Sequence, residues 1–238
     1  MPLHLIGTSH IAPQSIREIR KYLDQEKPDL VAVELDVQRA AALLQEEKRK
    51  VSLGQIIHFG IKGYLFAKLG QYLQQKLGKI VGVSPGAEMK AALELAKKQK
   101  LPVAFIDQPL AITLQRFSHS LTWKEKGRFV ADLFAGLLFP QRQLKKLGLS
   151  GLGTGKVGPH TWDLKKVPEP ELLSGLMKEL QRRYPNVYRV LVEERNKYMV
   201  RQLVNLLRKH PQKNILVVVG AGHKEGMEEL LLKVEVVG

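Results

Sequence analysis

The chain has 238 residues, 44% of them hydrophobic, which is enough for a sizeable core and too apolar for a disordered polymer. It contains no cysteine, which excludes disulfides, cysteine-based zinc fingers and thiol catalysis. The net charge of +15 is concentrated: residues 48–80 hold seven Lys/Arg and no Asp/Glu, and residues 111–166 hold ten against three. Such a field either attracts an anionic partner or is simply a basic solvated surface.

Residues 2–7 predict a first strand, running into Gly7-Thr8-Ser9-His10. No basic region followed by a long apolar stretch opens the chain, so no secretory signal is expected. No run approaches the roughly 20 apolar residues of a membrane span. A cytoplasmic protein is therefore expected, with association at an anionic membrane surface as the alternative. Helix one starts near Ala12-Pro13 and keeps Ile16, Ile19, Tyr22 and Leu23 at helical spacing. A strand follows at Leu30–Leu35, interrupted by Glu34, and Asp36 is placed to cap the helix that carries Ala40–Leu44.

From Ser52 to Leu77 apolar residues recur at 3-4 spacing opposite a face of Lys, Gln and His, broken by four glycines. This predicts a kinked amphipathic helical stretch, either packing on the core or lying on an anionic membrane. Val83–Met89 is a turn into a helix over Ala91–Lys98, and Glu88 falls in its first turn, where the helix dipole favours a carboxylate. Leu101–Asp107 reads as a strand ending in an acid, followed by helices at 109–118 and 122–139 and a Gly/Pro-rich loop at 148–168. Gly151–Lys156 imitates a phosphate loop, but Ser150 stands where the first glycine belongs, Val157 follows the lysine, and no strand precedes it. Helices are expected at 169–182 and 186–209, where Glu193-Glu194-Arg195-Asn196 reads as a solvated charged cluster. Ile215–Val219 is an uninterrupted apolar strand delivering His223 through a Gly220-Ala221-Gly222 turn, with a short helix at 225–231 and an edge strand at 234–237.

Short apolar strands alternating with helices predict an α/β fold with a largely parallel central sheet and helices on both faces. Ligands collect beyond the carboxyl ends of such strands, where His10, Glu34, Asp107 and His223 stand. Two imidazoles with strand-end carboxylates could hold a divalent metal, which lowers the pKa of bound water to about 7. Gly7, Gly220 and Gly222 permit close backbone approach, and the amides beside them can hold an anion or cofactor group. Ser9 is a weaker nucleophile candidate, since the neighbouring His10 points elsewhere. Aromatic residues make up only 6% and no nucleic-acid-binding signature is present, so nucleic acid is not an expected partner.

Gly7-Thr-Ser-His10, Val31–Asp36 with Arg39, Pro85–Met89, Ile106-Asp107 with Ile112–Leu114, Tyr188–Leu191 with Glu194-Arg195, and Val219–His223 form an ordered set along nearly the whole chain. In this set the chain resembles the TraB/PrgY family, which is grouped with Tiki-type metalloproteases, erythromycin esterases and ChaN-like haem-binding proteins. The resemblance implies one α/β domain over 1–238, with helical insertions at about 48–80 and 109–210. It also implies a divalent-metal-dependent, peptidase-like hydrolase holding Mn, Co or Zn through His10, Glu34 and His223. Glu88 or Glu194 would then be the general base and Arg195 an orienter or oxyanion stabiliser. The same resemblance supports an alternative, a non-catalytic protein of pheromone shutdown that binds a peptide, a small anionic ligand or haem, with homo-oligomerisation left open. Gln108-Pro109 replace the arginine and acid that often follow the strand-end Asp in the family, which argues against an ionic network at Asp107.

Overall fold

The computed structural model describes residues 3–8, 13–44, 86–125, 127, 128, 131 and 170–237. The amphipathic stretch at 52–77, the Gly151–Lys156 segment, Ser9, His10 and most of the 122–139 helix lie outside the described residues.

The elements run β1 (Leu3–Thr8), α1 (Pro13–Glu26), β2 (Leu30–Val33), α2 (Val37–Leu44), α3 (Ala87–Lys98), β3 (Val103–Phe105), α4 (Leu110–Ser120), α5 (Pro170–Arg183) and α6 (Pro185–Tyr188). A π-helical turn at Arg189–Glu193 leads into α7 (Glu194–Lys209), followed by β4 (Ile215–Gly220) and α8 (Ala221–Val237). The strands form one four-stranded sheet in the order β1-β4-β2-β3, every neighbouring pair parallel, with Leu3 opposite Ile215, Leu30 opposite Ile215 and Val31 opposite Val103. This is the expected α/β architecture.

Strand β4 lies between β1 and β2, and all six of its residues are buried. Its continuous apolar run follows from coverage on both faces. Leu216 and Val218 join Ile6, Val31 and Val33 in a core with Ile19, Leu23, Met89 and Leu93 from α1 and α3. Ile215, Val217 and Val219 join Leu5, Leu30 and Ala32 in the opposite core, with Met199 and Leu203 from α7 and Met227 from α8. The period-two alternation carries on past β2, so Glu34 continues the Leu30/Ala32 parity toward α7 and α8.

Local signals set several boundaries. Asp36 Oδ1 accepts the amides of Gln38 at 2.8 Å and Arg39 at 3.0 Å, capping α2 as expected. Thr122 and Glu125 form a capping box: Thr122 Oγ1 accepts the Glu125 amide at 3.2 Å, and Glu125 Oε2 accepts the Thr122 amide at 3.1 Å. Glu125 also clamps α6, accepting the backbone and side-chain N–H groups of Asn186, each at 2.8 Å. One expectation is corrected. No turn, short helix and edge strand follow β4: α8 begins at Ala221 and runs unbroken to Val237. Continuation of the helix overrides the β-branched preference of Val234, Val236 and Val237. Among the described residues no helix is long and apolar enough to cross a membrane.

Leu216→Ala removes a fully buried side chain between two layers and should cost about 3 kcal/mol in urea unfolding, whereas Val37→Ala, 67% exposed, should lie within about 0.5 kcal/mol of wild type. Burial works to raise the Glu125 carboxyl, but the bonds from Asn186 and Thr122 outweigh it and hold it below the usual range. Because its folded pKa is depressed, its contribution is present above the ordinary carboxylate range and lost as pH falls through the depressed value. Glu125→Gln should therefore be less stable than wild type at neutral pH, with the gap closing in acid.

Candidate functional site

The carboxyl edge of the sheet collects the polar residues. Strand β2 ends at Glu34, the segment after β3 supplies Asp107, and β4 passes directly into α8, which carries His223 in its first turn. Helix α7 precedes parallel strand β4, so its first turn, with Glu194 and Arg195, lies at the same edge. The π turn at Arg189–Glu193 inserts an extra residue per turn before this point and resets which side chains of α7 face the sheet.

Arg195 binds everything around it. Its Nε donates to Asp107 Oδ1 at 3.0 Å and Nη2 to Asp107 Oδ2 at 2.7 Å, a two-pronged carboxylate pair. Nη2 also donates to Glu34 Oε1, while Nη1 donates to His223 Nε2 at 3.0 Å and to the Leu191 carbonyl at 3.3 Å. A guanidinium has five N–H groups, and these five bonds use all of them. Burial alone would push the Arg195 pKa down, but Glu34 and Asp107 outweigh it and hold the group above its ordinary value. Every N–H of Arg195 is thus engaged within the protein.

The partners are themselves held. Glu34 Oε2 accepts the Gly220 amide at 2.5 Å, where β4 gives way to α8 and the helix dipole favours a negative charge. Asp107 accepts its second arginine, Arg39 Nη1, at 2.7 Å, and the Gln108 amide at 2.8 Å. This corrects the expectation that Gln108-Pro109 would take Asp107 out of an ionic network: its cations come from α2 and α7, not from the next residues in the chain. His223 Nδ1 lies 2.6 Å from Asn196 Oδ1, and its Nε2 lies 3.4 Å from Glu34 Oε1. Asp107 and Glu34 side chains are 1% and 3% exposed, Arg195 15%. Two carboxylates and two guanidiniums thus form a charge-balanced, nearly closed cluster.

Across residues 2–236 the sequence matches the TraB/PrgY/gumN family. The chain belongs to that family. It is 36% identical to an uncharacterized protein of Methanocaldococcus jannaschii over 98% of its own length and 54% of that protein's. It is 26% and 25% identical to the human and mouse TraB domain-containing proteins, over 95% of its length and 62% of theirs. The chain therefore spans a little over half of these relatives.

The remaining family-derived candidates fall in different places. Glu194 sits one residue from Arg195 but faces outward, where Arg116 Nη1 donates to it at 2.9 Å and Arg189 Nε lies at 3.9 Å. Glu88 is buried in the first turn of α3, which precedes β3 and so also starts at the carboxyl edge, in the helix layer opposite α7 and α8. Gly7 lets the end of β1 pass close to α8, since a Cβ there would stand 3.3 Å from Ala221 Cα. Gly222 faces Met177 of α5, and the Gly220 amide is given to Glu34. Asn196, expected in a solvated charged cluster, is instead buried against His223, and Arg39 carries no role in the sequence reading. Asn196 had a signal: it shares the buried stripe of Met199, Val200 and Leu203, where a polar residue needs a partner.

A divalent ion can be tested against this donor set. Glu34 Oε1 and His223 Nε2 converge, each braced from behind by a hydrogen bond to Gly220 or Asn196, as metal ligands commonly are. Both atoms are nevertheless bonded to the Arg195 cation. Among the described residues no group of three His, Asp or Glu is arranged to hold a metal, and His10 lies outside them. As arranged, Glu34 and His223 do not fit an ion.

Asp107→Ala would leave two buried N–H bonds of Arg195 unmade and one of its two carboxylate partners missing, and should cost about 3 kcal/mol in chemical unfolding. Arg39→Ala removes a side chain that is 36% exposed and should cost about 1 kcal/mol or less.

Proposed function

We propose that this chain is a hydrolase of the TraB type, acting on a peptide-like amide or an ester, with its working site at the Glu34–Arg195–His223 cluster. The observation that carries the reading is the cluster itself. Buried ion networks of this kind are often no more stabilising than well-packed apolar residues of the same volume, so stability alone is a weak reason to keep one. This one gathers residues 161 and 28 positions apart in sequence at the sheet edge where α/β proteins bind ligands.

In this reading His223 is the general base. When Nε2 is released from Arg195 Nη1, its lone pair can take a proton from an attacking water. The imidazolium so formed lies beside Glu34 Oε1, 3.4 Å away, which stabilises it. Arg195 holds Glu34 and Asp107 in place and leaves Glu34 charged. The basic segments at 48–80 and 111–166 favour an acidic substrate. A divalent ion shared by His10, Glu34 and His223 belongs to the family expectation and plays no part in these steps.

One observation favours a second reading, non-catalytic binding of a peptide or haem in signal shutdown: Arg195 has all its donors satisfied within the protein. Incubation with a mixed peptide library, read by mass spectrometry, separates the two. The hydrolase reading expects cleavage that falls at least 100-fold in His223→Ala and Glu34→Gln with the circular dichroism spectrum unchanged. Stoichiometric peptide capture with no cleaved product in wild type would replace it with the binding reading.

A further inference from the structure

Resting on the role given to His223 above, we infer that Asn196 is a positioning residue that, together with Arg195, holds His223 in one tautomer, and that Gly226 is glycine to make room for it. The hydrogen-bond chain allows one assignment. Arg195 can only donate, so His223 Nε2, 3.0 Å from Nη1, must accept and carries no proton. The ring hydrogen is then on Nδ1, and its partner 2.6 Å away must be an acceptor, which makes it the Asn196 oxygen. The competing arrangement, with Nε2–H donating to Glu34 Oε1 at 3.4 Å, would set two N–H groups against each other across the shorter 3.0 Å contact. The shorter contact decides.

Asn196 cannot swing away to choose otherwise. It is 4% exposed, on the buried stripe of α7. Its other end, Nδ2, points at α8, where a Cβ on Gly226 would stand 2.5 Å from it, inside any real contact. Gly226 thus has a reason to lack a side chain, although it lies mid-helix, where glycine costs about 1 kcal/mol relative to alanine. Consecutive residues of α7 grip the two nitrogens of one ring: Asn196 on Nδ1 and Arg195 on Nε2. The result is an imidazole whose lone pair always faces Glu34 and Arg195, as a base at that edge requires.

The tautomer can be read directly in the full chain, without substrate, from nitrogen-15 shifts of labelled histidines, with His223→Gln assigning the signal among seven. Free histidine favours the Nε2–H form, so the expected wild-type result, Nδ1 protonated and Nε2 bare, is not the default. Asn196→Ala and Gly226→Ala should shift His223 toward the Nε2–H form, while Asn196→Asp, which retains an acceptor, keeps Nδ1 protonated. Wild-type His223 in the Nε2–H form would overturn the inference, a result that needs no variant to fold. So would an unchanged Nδ1–H signal in Asn196→Ala. Because no turnover is measured, a wild type that cleaves nothing would count against the hydrolase reading alone.

Discussion

The guanidinium of Arg195 holds this end of the molecule together. It joins three parts of the fold that share no local sequence: the end of β2 through Glu34, the segment after β3 through Asp107, and the start of α8 through His223. Without it two carboxylates would face each other in a nearly dry edge. With it, and with Arg39 on the far side of Asp107, the charges balance. A buried cation is stable only when its counterions and hydrogen bonds are complete, and here each N–H has a partner.

The fold makes that convergence a matter of topology. In a parallel sheet, strands end and the helices that precede strands begin at the same edge. Helix α7 therefore delivers Arg195 and Asn196 where β2 delivers Glu34, and α8 starts there because it follows β4 without a turn. The two apolar faces of β4, Leu216/Val218 on one side and Ile215/Val217/Val219 on the other, lock the registers of β1 and β2 from which these positions are measured. The net charge of +15 plays no part inside the cluster.

Much of this was legible in the residues. The unbroken run Ile215–Val219 required cover on both faces, Glu34 stood out as an acid ending an apolar strand, and Asp36 had the position of a cap. Glu34 and His223 were nominated together from strand ends. Other features were hidden for physical reasons. Two glycines before His223 read as a turn, because nothing local says that α8 can start at once with the Gly220 amide bound to Glu34. Asp107 looked isolated because its arginines lie 68 and 88 residues away. Arg195 looked solvated because its counterions, Asp107 and Glu34, lie 88 and 161 residues away and leave no local sign.

The central claim is that Arg195 and Glu34 act as one unit, and a double-mutant cycle on unfolding free energy tests it most directly. Arg195→Met and Glu34→Gln should each destabilise the chain, and the double variant should be more stable than their sum by about 2 kcal/mol or more, since each single change leaves a buried charge that the other removes. Additivity within about 0.5 kcal/mol would mean that the two residues do not depend on each other, and would contradict the account.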